Sequence, residues 1–310
     1  MLQNNSAYLP RMTPWPIHKE CLICSSTKLK PLAGFEKAYL CQCNSCGFIF
    51  SARIPSAQEL INYYEGYGRD DYLSPITIKR YHEILDSFES ARKTNRLLDV
   101  GCGIGYFLDV AKERGWEVYG TEYTHKAIEI CESKGITMHQ GVLDPSNYKP
   151  ESFDVITSFE VIEHINNPNP EINNISSLLR KDGLFYVTTP NFNSLIRYYR
   201  GQKYNVICWP EHLSYYTPST LNNLMQKHGF SKKWIQTTGI SITRFMSSRK
   251  QSSAEEILEG TVSIAADTQD EKLRNSFEKN SLLGFAKNSI NQILTLSGKG
   301  DALKALFEKK

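Results

Sequence analysis

Apolar and polar positions along this chain alternate between two periods, most sharply between Arg96 and Glu122. Leu97, Leu98 and Val100 form a short apolar run of the kind that a strand buried on both faces needs. After three closely spaced glycines, Ile104, Phe107, Leu108 and Ala111 recur at helical spacing, while Asp109, Lys112, Glu113 and Arg114 take the opposite face. Gly115 marks the helix end, and Val118 and Tyr119 open a second strand that closes on Glu122. The alternation continues: Thr124 caps a helix with Ala127, Ile128 and Cys131 inward, Ile136 to Gln140 is a third strand, and Phe153 to Phe159 a fourth. A helix carrying Ile172, Ile175, Leu178 and Leu179 runs to Gly183, and Leu184 to Thr189 make a fifth strand. Thr217 and Pro218 start another helix with Leu221, Leu224 and Met225 inward, and a sixth strand lies within Phe230 to Ile242. Strands alternating with helices predict an α/β fold whose parallel sheet is covered on both faces. Ligands of such sheets sit at the carboxyl ends of the strands, here Gly101 to Gly105, Glu122, Leu143, Glu160 and Pro190-Asn191.

The flanking segments follow other rules. Residues 1–17 hold several prolines and read as an irregular arm. Within 18–52, Cys21-x-x-Cys24 and Cys43-x-x-Cys46 are two thiol pairs separated by eighteen residues, the spacing of a four-thiolate zinc ribbon. Cys41 breaks that register and is left out. Four thiolates close the coordination shell, so this zinc is expected to be structural. Residues 53–95 carry helical patterning rich in aromatics, including Tyr64, Tyr67 and Tyr72, and read as a helical cap or linker. A polar stretch from Ser247 to about Asp270 and a helical segment through Leu294 form an insertion at about 247–299 within the domain 96–310.

The glycine turn decides the ligand. In the dinucleotide fingerprint G-x-G-x-x-G the third glycine would fall at 106, which is Tyr; here it comes one residue earlier. Asp99-Val-Gly-Cys-Gly-Ile-Gly105 resembles motif I of class I S-adenosylmethionine-dependent methyltransferases. That resemblance implies a Rossmann-like, seven-stranded, mostly parallel sheet, with S-adenosyl-L-methionine lying over Gly101, Cys102, Gly103 and Gly105. It also implies that Asp99 helps hold the methionine amino group, that Glu122 takes the ribose, and that Val142 and Leu143 flank the adenine. Phe159 and Glu160 would sit beside the cofactor at the end of the fourth strand. Asp301 to Lys310 alternates poorly, and the resemblance makes it the seventh strand, inserted antiparallel; a terminal helix is the alternative.

From about Tyr63 to Ile242 the chain is similar to bacterial zinc-ribbon-bearing class I methyltransferases, through DVGCGIGYFL, SFEVIEH and EHLSYYTPSTL. That family implies a small-molecule acceptor, such as a hydroxyl of a nucleotide-linked sugar or related metabolite. SFEVIEH also resembles ubiquinone-pathway O-methyltransferases and small-RNA 2′-O-methyltransferases, which hold a metal on two glutamates and two histidines. Glu160, Glu163, His164 and His212 are therefore the candidate catalytic residues. In one reading they bind a second divalent metal that activates the acceptor. In another, His164 is a metal-free general base oriented by Glu163. In a third, His212 is only a packing or capping residue.

Composition narrows the partners. A net charge of +3, without a basic stripe, weighs against an RNA 2′-O-methyltransferase, which stays the alternative beside a non-catalytic scaffold that binds the cofactor. No apolar run approaches a membrane span, and the first twenty residues lack the pattern of a secretory signal. With eight cysteines, the chain is expected in the reducing cytoplasm, with thiols serving metal rather than disulfides.

Overall fold

The computed structural model describes residues 15–64, 73–239 and 281–310. Tyr67, Tyr72 and the polar stretch from Ser247 to Asp270 lie outside them.

Ahead of the main sheet come β1 (Leu29–Pro31), β2 (Leu40–Cys43), β3 (Ile49–Ser51), α1 (Ala57–Tyr64) and α2 (Pro75–Asp86). The alternating part comprises β4 (Arg96–Val100), α3 (Tyr106–Glu113), β5 (Glu117–Glu122), α4 (His125–Ser133), β6 (Thr137–Gln140), β7 (Phe153–Phe159), α5 (Pro168–Leu178) and β8 (Leu179–Pro190). After it follow α6 (Leu195–Arg200), β9 (Ser214–Tyr215), α7 (Pro218–Lys227), β10 (Phe230–Thr238), α8 (Ser281–Ser297) and β11 (Ala302–Lys309).

The main sheet has seven strands in the order β10-β11-β8-β7-β4-β5-β6. β11 runs antiparallel to both neighbours, with Phe307 opposite Phe185 on one side and Lys232 on the other. The strand alternative for residues 301–310 is therefore the one the chain adopts. The order reverses beside β4, so the loops after β4 and β7 open away from each other and leave a crevice at the carboxyl edge. Leu98, Val100, Phe153, Ile156 and Phe185 pack one face, against α5 and α7, while Leu97, Phe107, Leu108 and Val155 join α2 to the other.

Two local expectations change. β8 begins at Leu179, not Leu184, because Leu179 pairs with Phe153 and the Arg180 guanidinium donates to the fully buried Asp154 at 2.6 Å. That ion pair pulls the chain out of helix five residues before Gly183. Thr124 stands at the start of α4, but its side chain makes no capping bond. At α7, by contrast, Thr217 and Thr220 form a reciprocal capping box with Pro218 in the first turn.

The ribbon does not stand apart. β1, β2 and β3 form an antiparallel sheet that β9 completes, and Cys21, Leu22, Ile23, Phe48 and Phe50 share one core with Ile162, Tyr216 and Leu221.

Candidate active site

β4 delivers the chain into the glycine turn. Gly103 has φ of 55°, and a side chain built there would meet no atom of the protein within 4 Å. Its α-carbon faces open space at the sheet's carboxyl edge, so a ligand can approach the backbone closely. Gly105 serves packing instead. A Cβ at that position would come within 2.8 Å of both Cys131 Sγ and Ile136 Cδ1, so the missing side chain lets α3 start against α4. Gly101 N donates to Thr121 Oγ1 at 3.3 Å, which ties the turn to β5.

Glu122 ends β5 and reaches back to the turn. Its Oε2 accepts from Gly103 N at 3.0 Å, while Oε1 accepts from Tyr123 N at 2.7 Å and Thr124 N at 3.2 Å. The carboxylate is thus held beside the open face of Gly103. Cys102 and Leu143 turn their side chains inward. The Cys102 sulfur packs toward Gly120 and lies 3.9 Å from Met138 Sδ, leaving its backbone to line the turn. The Leu143 side chain is buried in the core, whereas Val142 is 65% exposed and stands at the rim with Tyr123, 67% exposed. Sequence reasoning does not single out Tyr123; its signal is its place directly after the acidic residue.

Asp99 is buried and accepts from Thr157 Oγ1 at 2.7 Å. Burial, reinforced by the Glu122 charge and opposed by the Thr157 bond, lifts its carboxyl from 3.8 to about 7. The native state therefore binds a proton that the unfolded chain has lost between those values, so stability falls as pH rises from about 4 through 7. Denaturant unfolding should show Asp99→Asn gaining on the wild type across that window, by up to about 4 kcal/mol for a shift of this size. An unchanged difference between pH 5 and pH 8 would refute the assignment.

The second half of the crevice follows β7. The Phe159 ring packs on Phe107 and Tyr186, with centroids 4.8 and 5.4 Å away. Glu160 then adopts φ of 53°, a left-handed conformation rare for a residue with a side chain, and its N–H donates to Thr188 O at 3.0 Å. This turn folds the chain back, so that Glu163 is 2% exposed and accepts from Thr189 Oγ1 at 2.9 Å. Burial and the neighbouring Glu160 charge push the Glu163 carboxyl well above the usual carboxylate range.

His164 and His212 meet edge to face, with ring centroids 4.7 Å apart. His164 Nδ1 lies 3.0 Å from Glu211 O, and His212 Nδ1 2.6 Å from Val206 O. A carbonyl only accepts, so each Nδ1 carries a proton. Burial and His212 lower the His164 pKa to about 4, which keeps its ring neutral at physiological pH. Glu163, His164 and His212 offer ligand atoms within 4.8 Å of one another; Glu160 is not part of that set among the described residues. Three of the four anticipated groups are thus brought together. From α1, Tyr63 adds a hydroxyl that donates to Glu211 Oε2 at 2.6 Å, a contact across 148 positions that no local pattern announces.

A separate set is formed by Cys21, Cys24, Cys43 and Cys46, whose sulfurs also fall within 4.8 Å of one another. The closest pairs, Cys21 with Cys46 and Cys24 with Cys43, are 3.5 Å apart. A tetrahedral zinc with bonds of about 2.3 Å separates its sulfurs by about 3.8 Å, so the donors fit a small zinc-binding element. Cys41 lies outside this set, buried, with its thiol pushed up to about 12 by burial.

The family profile described as a methyltransferase domain matches residues 73–232, more than half of the chain. A ubiquinone biosynthesis O-methyltransferase of Haemophilus ducreyi is 31% identical over 107 residues, covering 31% of this chain and 45% of that protein. Its counterpart in Pelagibacter ubique is 27% identical over 182 residues, covering 55% of this chain and 75% of the relative. The chain thus spans about half the length of some of the curated relatives it matches. Among solved structures, a SAM-dependent methyltransferase from Archaeoglobus fulgidus superposes with a TM-score of 0.50 at 18% identity, covering 76% of this chain and 93% of that one, which speaks to the fold alone.

Proposed function

Because the chain belongs to the methyltransferase-domain family, we propose that it transfers the methyl group of S-adenosylmethionine to a hydroxyl of a small-molecule acceptor. What supports this reading is that two groups of residues follow the carboxyl ends of neighbouring parallel strands. The open face of Gly103 with Glu122 lies after β4 and β5, and Glu163, His164 and His212 lie after β7 and β8. When bound, the sulfonium cofactor supplies a methyl already activated for displacement. The protein's part is alignment, which can be worth on the order of 7–11 kcal/mol of barrier. In this reading Gly103 admits the cofactor, Glu122 accepts from its ribose hydroxyls, Asp99 faces its amino end, and Tyr123 and Val142 flank its adenine. The His164 lone pair receives the acceptor's proton. A hydroxyl acceptor is supported by the O-methyltransferase names of the relatives.

A second divalent ion fits the same residues. Neutral imidazoles with Nδ1 held by a carbonyl are the usual form of histidine ligands, and Glu163 would complete the set. Such an ion would lower the acceptor's pKa. Screening phenolic, catecholic and nucleotide-sugar hydroxyls for methyl transfer tests the proposal. Formation of S-adenosylhomocysteine with none of these, together with methylated RNA, would favour the 2′-O reading.

Glu122→Ala should weaken cofactor binding, since each charge-assisted hydrogen bond contributes roughly 1.5–3 kcal/mol. Part of that loss comes through the turn, because Glu122 also holds Gly103 N. Calorimetry finding wild-type affinity in this variant would remove Glu122 from the site.

The cysteine set is assigned to one structural zinc per chain. Elemental analysis should find it in protein purified without chelator, lost in Cys43→Ser and retained in Cys41→Ser. Equal loss in both variants would contradict the ligand set.

A further inference from the structure

The ribbon is bonded to the rest of the chain at positions that methyl transfer itself leaves unexplained. Two loops carry the acceptor-side cluster: the one after β7 holds Glu163 and His164, and the one before β9 holds His212. The ribbon grips both. β3 extends its ladder onto β9, pairing Ile49 with Tyr215 and Phe50 with Ser214, and Ser51 N donates to Leu213 O at 2.8 Å. Tyr215, so placed, donates from its hydroxyl to His212 O at 2.9 Å. On the other side His18 Nε2 meets Asn166 Oδ1 at 2.6 Å, and Asn169 Nδ2 donates to Leu22 O at 2.7 Å. The loops are also joined directly, since Leu213 N and Ser214 N both donate to Glu163 O, at 2.7 and 3.0 Å.

The links through Leu22 and β3 trace back to the cysteine knuckles. Leu22 lies between Cys21 and Cys24. The turn of Cys43 and Cys46 closes with Gly47 N donating to Cys43 O and Cys43 N to Phe48 O, and it leads straight into β3. Phe48 stacks on Phe50 at 5.4 Å and sits 5.3 Å from Tyr216, in the core that contains Ile162, the residue before Glu163. Strands of two to four residues have little stability of their own, so the knuckles decide whether this small sheet holds its shape. The glycine turn, by contrast, takes its hydrogen bonds from Thr121 and Glu122 of β5 and from Cys131 of α4.

We infer that the four-cysteine ribbon is a positioning element for the acceptor side, holding the Glu163–His164 loop and the His212 loop at a set separation. The inference rests on the proposed reading of that cluster. It gives the ribbon a task within the chain that requires no nucleic acid or partner protein.

The test uses the full chain with isotope-labelled histidine rings, His164 and His212 being assigned from His164→Gln and His212→Gln. Two perturbations are compared: the Cys43→Ser variant, which opens the four-cysteine set, and the double variant His18→Ala/Asn169→Ala, which keeps all four cysteines. In both, the His164 and His212 ring resonances should shift or split. Those of His125 and His139, on the cofactor edge, should stay in place, and the dissociation constant for S-adenosylmethionine should be unchanged. The inference is overturned if the His164 and His212 resonances stay put in the double variant. It is equally overturned if that variant loses cofactor affinity together with them, since the ribbon would then support the whole fold. Harmless His164→Ala in a transfer assay would instead defeat the catalytic reading of the cluster, leaving the mechanical result to stand or fall on the resonances.

Discussion

His164→Ala is expected to reduce methyl transfer by about 10²–10⁴-fold, the range for loss of a general acid or base. Cofactor affinity should stay close to wild type, because the imidazole follows β7 and packs against His212, whereas the glycine turn follows β4. The residue pairs with Glu211 O through Nδ1, so His164→Gln cannot reproduce both the anchored N–H and the lone pair opposite it. His212→Ala and chelation under conditions that spare the cysteine site then separate two routes to the same loss. If both abolish transfer, an ion shared by Glu163, His164 and His212 activates the acceptor. If both are harmless while His164→Ala is not, the histidine works alone as base. Full activity in His164→Ala would exclude both.

Gly103→Leu should abolish cofactor binding altogether. The glycine has φ of 55°, and its missing side chain leaves space into which nothing from the protein intrudes. Leucine would fill that space and pay the left-handed backbone strain, about 1–2 kcal/mol for an L-residue. Strain alone lowers the melting temperature by about 2–4 °C per kcal/mol in a domain of 150–250 residues. Gly103→Ala separates the two effects, since it carries the same strain with little bulk. Calorimetry should therefore rank wild type above alanine and alanine above leucine, with no detectable heat for leucine. Equal affinity in all three would place the ligand elsewhere.

How much of this was legible beforehand depends on how far apart the cooperating residues lie. The turn from Asp99 to Gly105 and the acid at Glu122 are close in sequence, and period and spacing announce them. Residues 301–310 defied pattern because Ala305, Leu306 and Phe307 are all buried, as a strand covered on both faces requires, so alternation vanishes. Resemblance supplied that strand where periodicity did not. The early start of β8 was hidden because it hangs on Arg180 finding Asp154 across the sheet. Cys102 and Leu143 show another limit: a motif names positions, but the sulfur against Gly120 and the leucine in the core point where packing sends them. In the cluster of Glu163, His164 and His212, SFEVIEH marked the first two. The carbonyls of Glu211 and Val206 that fix both imidazoles carry no side-chain signature at all.

The place of β11 has a consequence for how the protein is made. β4, β5, β6 and β7 leave the ribosome consecutively, so that half of the sheet can assemble as soon as Phe159 emerges. β8 joins it next, but its outer neighbour is not β10, the following long strand, but residues 302–309. Throughout synthesis of the intervening segment the outer edge of β8 and the whole of β10 stay unpaired, each able to pair with another copy. A pause or premature stop between Thr238 and Ala302 would therefore leave a polypeptide with a formed glycine turn and an unfinished, adhesive sheet.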